Sequence, residues 1–182
     1  MLLAIGYWPM ASLPYLHGFL QIMALLEKQL VVKKSTLPNA GKGLFTKKTI
    51  PKDTRIVEYK GRVRTWKEAA HEDNGYIYYV TRNHVIDAKP YPKALARYAN
   101  DARGVVRVKG IVNNSDYIQD GKNVYITSKK EIPAGSEILV GYGKEYWDVI
   151  RHNIKIDKTR QKEAAAKKAS KKKVKDRTKK TR

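Results

Sequence analysis

GSEILVGYGKEYW, residues 135 to 147, decides how the rest of the chain is read. An apolar run ends on a tyrosine held between Gly141 and Gly143, and Tyr146 and Trp147 follow at once. A tyrosine at a strand end is often a half-buried aromatic with its hydroxyl in water. Tyr142 takes on a sharper meaning only from its surroundings.

Working outward, the chain from Leu30 consists of short β-type runs separated by turn residues: LVVKK, GLFTKK, RIVEYKG, YIYYV, HVIDA, IVNNS, NVYITSKK and EILVGY. Turns are expected at Pro38-Asn39-Ala40-Gly41, Pro51-Lys52-Asp53, Asp120-Gly121-Lys122 and Pro133-Ala134-Gly135, where residues that bend the backbone cheaply precede a strand. Two stretches read as helix, Thr65 to Glu72 behind a threonine cap and Lys144 to Ile154 directly after Gly143. The fold class is therefore mostly β with few short helices. No internal repeat is present.

Charge divides the chain. Lys and Arg number 38 against 17 Asp and Glu, a net +21, and this implies anionic surroundings. Residues 158 to 182 hold 13 of those cations against Glu163 and Asp176, so +11 lies in the tail and +10 in the body. The tail has only alanines and one valine as apolar groups. Residues 155–182 are accordingly expected to be disordered, or transiently helical over Glu163 to Ala169, and to tether nucleic acid non-specifically; inert solubility is the plainer alternative. The absence of cysteine removes disulfides, thiol catalysis and thiolate zinc sites, and His17, His71, His84 and His152 have no metal-ligand spacing, so no metal is expected. Residues 1–28 are apolar but broken by Pro9 and Pro14, a poor signal peptide and a poor membrane span. They read as a short amphipathic helix around Gly18 to Lys28, or as a sequence upstream of a true start at Met10 or Met23. The domain proper is placed at residues 29–154.

Two further islands break the strand pattern. Asn39-Ala40-Gly41-Lys42-Gly43-Leu44-Phe45 sets two glycines one residue apart, which allows a ligand to approach the backbone or simply forms a tight hairpin. Leu95-Ala96-Arg97-Tyr98-Ala99-Asn100-Asp101, with Val112-Asn113-Asn114 beyond it, places polar side chains where they either cap turns or bind.

Taken in order, AGKGLF, IVEYKG, YIYYV, VIDA, RYAND and EILVGYG resemble the SET domain of protein lysine methyltransferases, over about Leu30 to Trp147. The resemblance implies a β-clip-like fold of small sheets in which the RYAND and GYG segments meet in a knot-like threading, with Gly141 and Gly143 making room. It implies S-adenosylmethionine as cofactor, held against Gly41, Lys42, Gly43, Arg97, Tyr98 and Asn100. A lysine of a protein substrate would enter from the opposite face. Tyr142 matches the catalytic tyrosine, and Tyr59 and Tyr76 match tyrosines lining the lysine channel. Tyr146 and Trp147 are candidates to close the site over the adenine, with core packing as the alternative. Val140, two residues before Tyr142 and without a hydroxyl, implies that the amine can turn with methyls attached, so di- or trimethylation is expected.

The residue types suit that chemistry. A free lysine has a pKa near 10.4, so only about one in 2,500 is neutral at pH 7, a shortfall of roughly 4.6 kcal/mol. An aromatic channel beside a sulfonium disfavours the ammonium, and tyrosine oxygens orient the amine. One departure stands out: Asp101 occupies the place of the family's histidine. The competing reading is a non-catalytic SET-fold protein that binds nucleic acid through its basic surface. No membrane partner is expected. The small undecorated domain and the lack of cysteine suggest a bacterial cytoplasm, with nucleoid association.

Overall fold

The computed structural model describes residues 25–72 and 74–180. Met10, Met23 and most of the helix expected around Gly18 to Lys28 lie outside the described residues, and Glu27–Gln29 forms a single 3-10 turn. Among the described residues the strands are β1 (Leu30–Lys34), β2 (Lys42–Thr46), β3 (Arg55–Glu58), β4 (Arg62–Arg64), β5 (Ile77–Thr81), β6 (His84–Asp87), β7 (Ser115–Asp120) and β8 (Asn123–Ser128); β1, β2, β3, β5, β6 and β8 coincide with runs read from the sequence, β4 does not, and β7 begins where the run IVNNS ends. They form three small antiparallel sheets, ordered β1-β2, β3-β8-β7 and β4-β6-β5. The β-rich fold expected from the sequence is the fold observed.

Each expected turn contains a left-handed residue: Asn39 and Gly41, Asp53, Gly121, and Gly135. The β-branched and leucine side chains between the turns fill one core, in which Leu44, Ile50, Ile56, Ile126, Ile132, Ile138 and Val140 are wholly buried. Burying an aliphatic side chain of this size stabilises by about 1.5–3 kcal/mol, and this is what holds sheets of two and three strands together.

The run EILVGY is not a ladder strand. Its residues bridge three different segments: Glu137 pairs with Phe45, Leu139 with Asn100 and Val140 with Ser115. The Val140 N–H donates to the Asn100 carbonyl at 2.9 Å, and the Asn114 and Ser115 N–H groups both donate to the Leu139 carbonyl at 3.0 Å. Asn114 adds side-chain bonds on the same run, to the Glu137 carbonyl (2.8 Å) and from the Leu139 N–H (2.9 Å). The run is thus inserted between the segments at Asn100 and at Asn114–Ser115, the knot-like threading that the resemblance implied.

The first expected helix is α1 (Trp66–Ala69), shorter than Thr65 to Glu72, with the Glu68 carboxylate accepting from the Thr65 N–H at 2.7 Å and hydroxyl at 2.8 Å. The second, α2 (Lys144–Lys180), runs far past Ile154 and includes the stretch read as a disordered tail. The absence of apolar surface does not oppose a helix here, because alanine, lysine and glutamate favour it intrinsically and its backbone bonds are internal. Lys144 and Arg151 also pair with Asp148 along its first turns, at 2.6 and 2.9 Å. No helix among the described residues is long and apolar enough to cross a membrane.

Candidate active site

An open cleft of about 1750 Å³ runs between the β1-β2 hairpin, the β4-β6-β5 sheet and the start of α2. Tyr142 stands in its wall. Its hydroxyl donates to the Ala99 carbonyl at 2.7 Å, and its backbone N–H donates to the Asp101 carboxylate at 2.8 Å. Gly143 follows with φ +92°, a left-handed turn that favours glycine and starts α2. Gly141 is not crowded, since a Cβ there would meet only the Asn113 amide at 3.6 Å. Room in the threading therefore does not explain Gly141, and Gly143 is explained by its dihedral.

Asp101, the departure from the family pattern, is the hub of this corner. One carboxylate oxygen accepts from the Tyr142 N–H and from the Trp147 indole N–H at 2.7 Å. The other accepts from the Arg103 N–H at 2.7 Å and the Asn113 amide at 2.8 Å. Burial opposes ionisation here, but the bonds from Trp147, Tyr142, Arg103 and Asn113 outweigh it and hold the carboxyl below its ordinary value. The aspartate ties the threaded segment, the cleft tyrosine and the first turn of α2 into one unit. Trp147 stacks on Tyr142, with centroids 5.9 Å apart and planes 12° from parallel, and Tyr146 meets Tyr142 edge-on at 4.9 Å.

A second buried carboxylate organises the opposite wall. Glu137 accepts from the Ser35 hydroxyl (2.6 Å), from the Thr36 N–H and hydroxyl (2.8 and 2.5 Å) and from the Asn100 amide (3.1 Å). The same Asn100 amide donates to the Lys42 carbonyl at 2.9 Å. Glutamate also explains Gly43, whose added Cβ would stand 2.2 Å from the Glu137 Oε1. The space beside Gly43 is thus occupied by a protein carboxylate. Gly41, with φ +69° and nothing near its Cβ, faces open space.

The floor of the cleft is phenolic. Tyr59, Tyr78 and Tyr117 form a mutual cluster, with ring centroids 5.1 to 5.8 Å apart. The Tyr59 hydroxyl donates to the Tyr76 carbonyl at 3.0 Å. Burial raises the pKa of Tyr59, Tyr78, Tyr117 and Tyr142, so all four are neutral phenols at physiological pH. Tyr76 lies nearer solvent, and the Arg97 guanidinium sits 4.0 Å from its ring centroid and 5.4 Å from that of Tyr98. Arg97 donates from Nη1 to the Lys89 carbonyl at 3.0 Å, while its buried Nε has no partner.

A model of the SET domain family matches residues 41–143, from the glycine segment to the end of the GYG motif. The chain belongs to the SET-domain family. That family is of the protein lysine methyltransferase type. No curated protein matches the chain. This SET domain gathers Tyr142, Tyr59, Tyr76, Gly41, Lys42, Arg97, Tyr98, Asn100 and Trp147 around one cleft. Gly43 and Val140 are not in its lining: Gly43 backs onto Glu137, and Val140 is wholly buried in the core beneath. Sequence reading missed Tyr78, Tyr117 and Glu137. Tyr78 was recoverable, because it stands two residues after Tyr76 in the run YIYYV, the spacing that shares a face in a strand, although β5 itself begins only at Ile77. Tyr117 was not, since the run IVNNS was ended at Ser115, where β7 in fact begins.

Proposed function

We propose that this SET domain is a protein-lysine N-methyltransferase that uses S-adenosylmethionine. The observation that carries the reading is the placement of Tyr142 between an aspartate-clamped backbone and a box of neutral phenols, Tyr59 buried and Tyr78 and Tyr117 half-buried. Three features of the cleft suit the cofactor: the open face of Gly41, the unpartnered Arg97 Nε, and an Asn100 side chain whose amide is fixed, leaving its Oδ1 without a donor among the described residues. Lys42, Tyr98 and Trp147 complete that wall, while Gly43 stays outside the lining, against Glu137. When bound, S-adenosylmethionine supplies the electrophilic methyl group.

The chain's own residues do the rest. Tyr59, Tyr78 and Tyr117 take the lysine side chain out of water, which disfavours its ammonium form, and the proton leaves to solvent before the amine is enclosed. None of the neutral phenols is a base at pH 7. Because the Tyr142 proton is directed to the Ala99 carbonyl, the phenol oxygen keeps its lone pairs for hydrogens on the amine and on the transferring methyl, and so orients the nitrogen lone pair. The chemistry needs alignment more than strong acid or base.

The number of methyl groups turns on a residue other than Val140. Val140 lies under the cleft, but its bridge partner Ser115 is two residues from Tyr117 on the same face of β7. Tyr117 packs against Tyr59 and Tyr78, with ring centroids 5.8 and 5.1 Å away, in the wall that also holds Tyr142. A tyrosine there leaves little room for a methylated amine to turn, so our reading is that wild type stops chiefly at monomethyllysine. The experiment that tests the function is transfer of radiolabelled methyl from S-adenosylmethionine to proteins of a cell lysate, with the modified side chain identified by mass spectrometry. Label on lysine Nε is expected. Absence of transfer would favour the nucleic-acid-binding alternative, whereas label on another side chain would overturn the assignment to lysine and keep the methyltransferase.

A further inference from the structure

Among the described residues Arg55, Arg64 and Arg97 are the half-buried arginines. Arg55 pairs with Asp120, and Arg64 pairs with Glu72 and Asp87. Arg97 pairs with no carboxylate among the described residues: its guanidinium lies 4.0 Å from the Tyr76 ring centroid, its Nη1 donates to the Lys89 carbonyl, and its buried Nε has no acceptor. Withdrawing a cation from water without a counter-ion costs stability that contacts with rings only partly return. Tyr76 joins this charge to the tyrosine box, because its carbonyl accepts the Tyr59 hydroxyl at 3.0 Å. After burial, the Arg97 charge is the largest influence on the Tyr59 phenol, ahead of Asp87, while Asp101 is the carboxylate that acts on Tyr117 and Tyr142.

We propose that Arg97 is a positioning residue for the substrate amine, a fixed and unpaired cation beside the tyrosine box that favours the neutral, nucleophilic form of the lysine. This rests on the methyltransferase reading. Both carboxylates that act on the box are already bonded: Asp87 accepts from Arg64 Nη1, the Asn74 amide and the Lys89 N–H, and Asp101 accepts from its four donors. Even so, each keeps a negative charge that favours an ammonium ion, and Arg97 is the charge of opposite sign on Tyr59. Of the other titratable groups lining the cleft, Glu72 is held by Arg64, Asp116 by Lys129, and Lys42 and Glu145 are exposed, as is His71. The side chains of Lys89 and Lys93, on the segment that Arg97 packs against, are exposed as well. The proton shed by the lysine passes to solvent through the open cleft. A side chain that only packed against Tyr76 and Tyr98 would not need to be charged.

The test follows kcat against pH in the full chain, saturated with S-adenosylmethionine and with a peptide bearing the lysine labelled in the lysate experiment. The acid limb of kcat reports ionisation in the bound complex. Arg97→Met should move that limb up by about 1 unit, leaving kcat about tenfold lower along the limb and near wild type at high pH. The charge-retaining Arg97→Lys chain should keep the wild-type limb. A role in folding or cofactor binding alone would lower kcat without moving the limb, and that result overturns the proposal, as does an equal shift in the Arg97→Lys chain. A second readout needs no turnover. The amine introduced by Tyr117→Lys, or by Tyr78→Lys where that chain folds better, is titrated by NMR with and without Arg97→Met. Its pKa should rise by about 1 unit when the cation is removed, and an unchanged value overturns the proposal. If wild type transfers no methyl at any pH, the methyltransferase reading fails, and the NMR titration still decides whether Arg97 favours a neutral amine in the box.

Discussion

The two ends of Tyr142 sit in opposite kinds of surroundings. At its backbone, Asp101 is ionised and saturated, with four donors on two oxygens. At its phenol, the neighbours are neutral rings, and the Tyr78 and Tyr117 hydroxyls make no hydrogen bond within the described residues. Polar groups whose bonding is complete fix a structure; polar groups with free capacity are available to a substrate. Asp101 belongs to the first kind and the tyrosine box to the second. Substitutions on the two sides should therefore fail in different ways.

The largest effect is expected at the saturated end. Asp101→Ala leaves the Tyr142, Trp147 and Asn113 donors without their acceptor, and chemical denaturation should show a loss of about 4 kcal/mol, given roughly 1–3 kcal/mol for each buried group left unsatisfied. A loss below about 1 kcal/mol would show that the four bonds do not anchor the corner. Gly43→Ala comes next, because its Cβ drives the Glu137 carboxylate off Ser35, Thr36 and Asn100; about 2 kcal/mol of destabilisation is expected in the same assay.

A pH series sharpens the contrast. The folded Asp101 carboxyl is held below its unfolded value, near 3.9, so its contribution to stability is complete above that value and is lost as pH falls through the lower folded one. The stability difference between wild type and Asp101→Asn should accordingly be constant near neutrality and shrink below about pH 4. A difference that persists unchanged at pH 2 would contradict the assignment.

The mildest substitution lies in the phenolic box. Tyr117→Phe removes one oxygen and no internal hydrogen bond, so stability should change by less than about 1 kcal/mol. The product should shift from mono- towards dimethyllysine in a saturated reaction read by mass spectrometry. An unchanged product distribution would return the question to Tyr59 and Tyr78.

The same contrast explains what the sequence disclosed. Turn residues and apolar alternation act locally, and they located six of the eight strands and all four turns, but not β4 or β7. The glycine, RYAND and GYG segments lie far apart along the chain but meet at one cleft, so their order in sequence was enough to name most of its lining. What stayed hidden depends on packing between distant segments. EILVGY has strand composition, yet it pairs with three partners because it threads between them. Val140 and Tyr117 sit on adjacent segments joined at Asn114 and Ser115, far apart in sequence, and nothing near either residue says which one reaches the cleft. Asp101 looked like a lost histidine until its four partners, drawn from residues 103, 113, 142 and 147, were assembled around it. The length of α2 was missed for a different reason: burial was used to judge a helix that rests on intrinsic propensity.

The central claim is that the Tyr142 phenol serves chemistry while its backbone serves structure. Its most direct test is Tyr142→Phe, assayed for kcat/KM on a lysine peptide and, by calorimetry, for affinity towards S-adenosylhomocysteine. Removing this oxygen also breaks its bond to the Ala99 carbonyl, but because it touches the reacting amine and methyl and not the rest of the cofactor, it should lower kcat/KM by about 100-fold or more and leave cofactor affinity within roughly twofold. Activity within a factor of about two of wild type, or a loss explained by weaker cofactor binding, would contradict it.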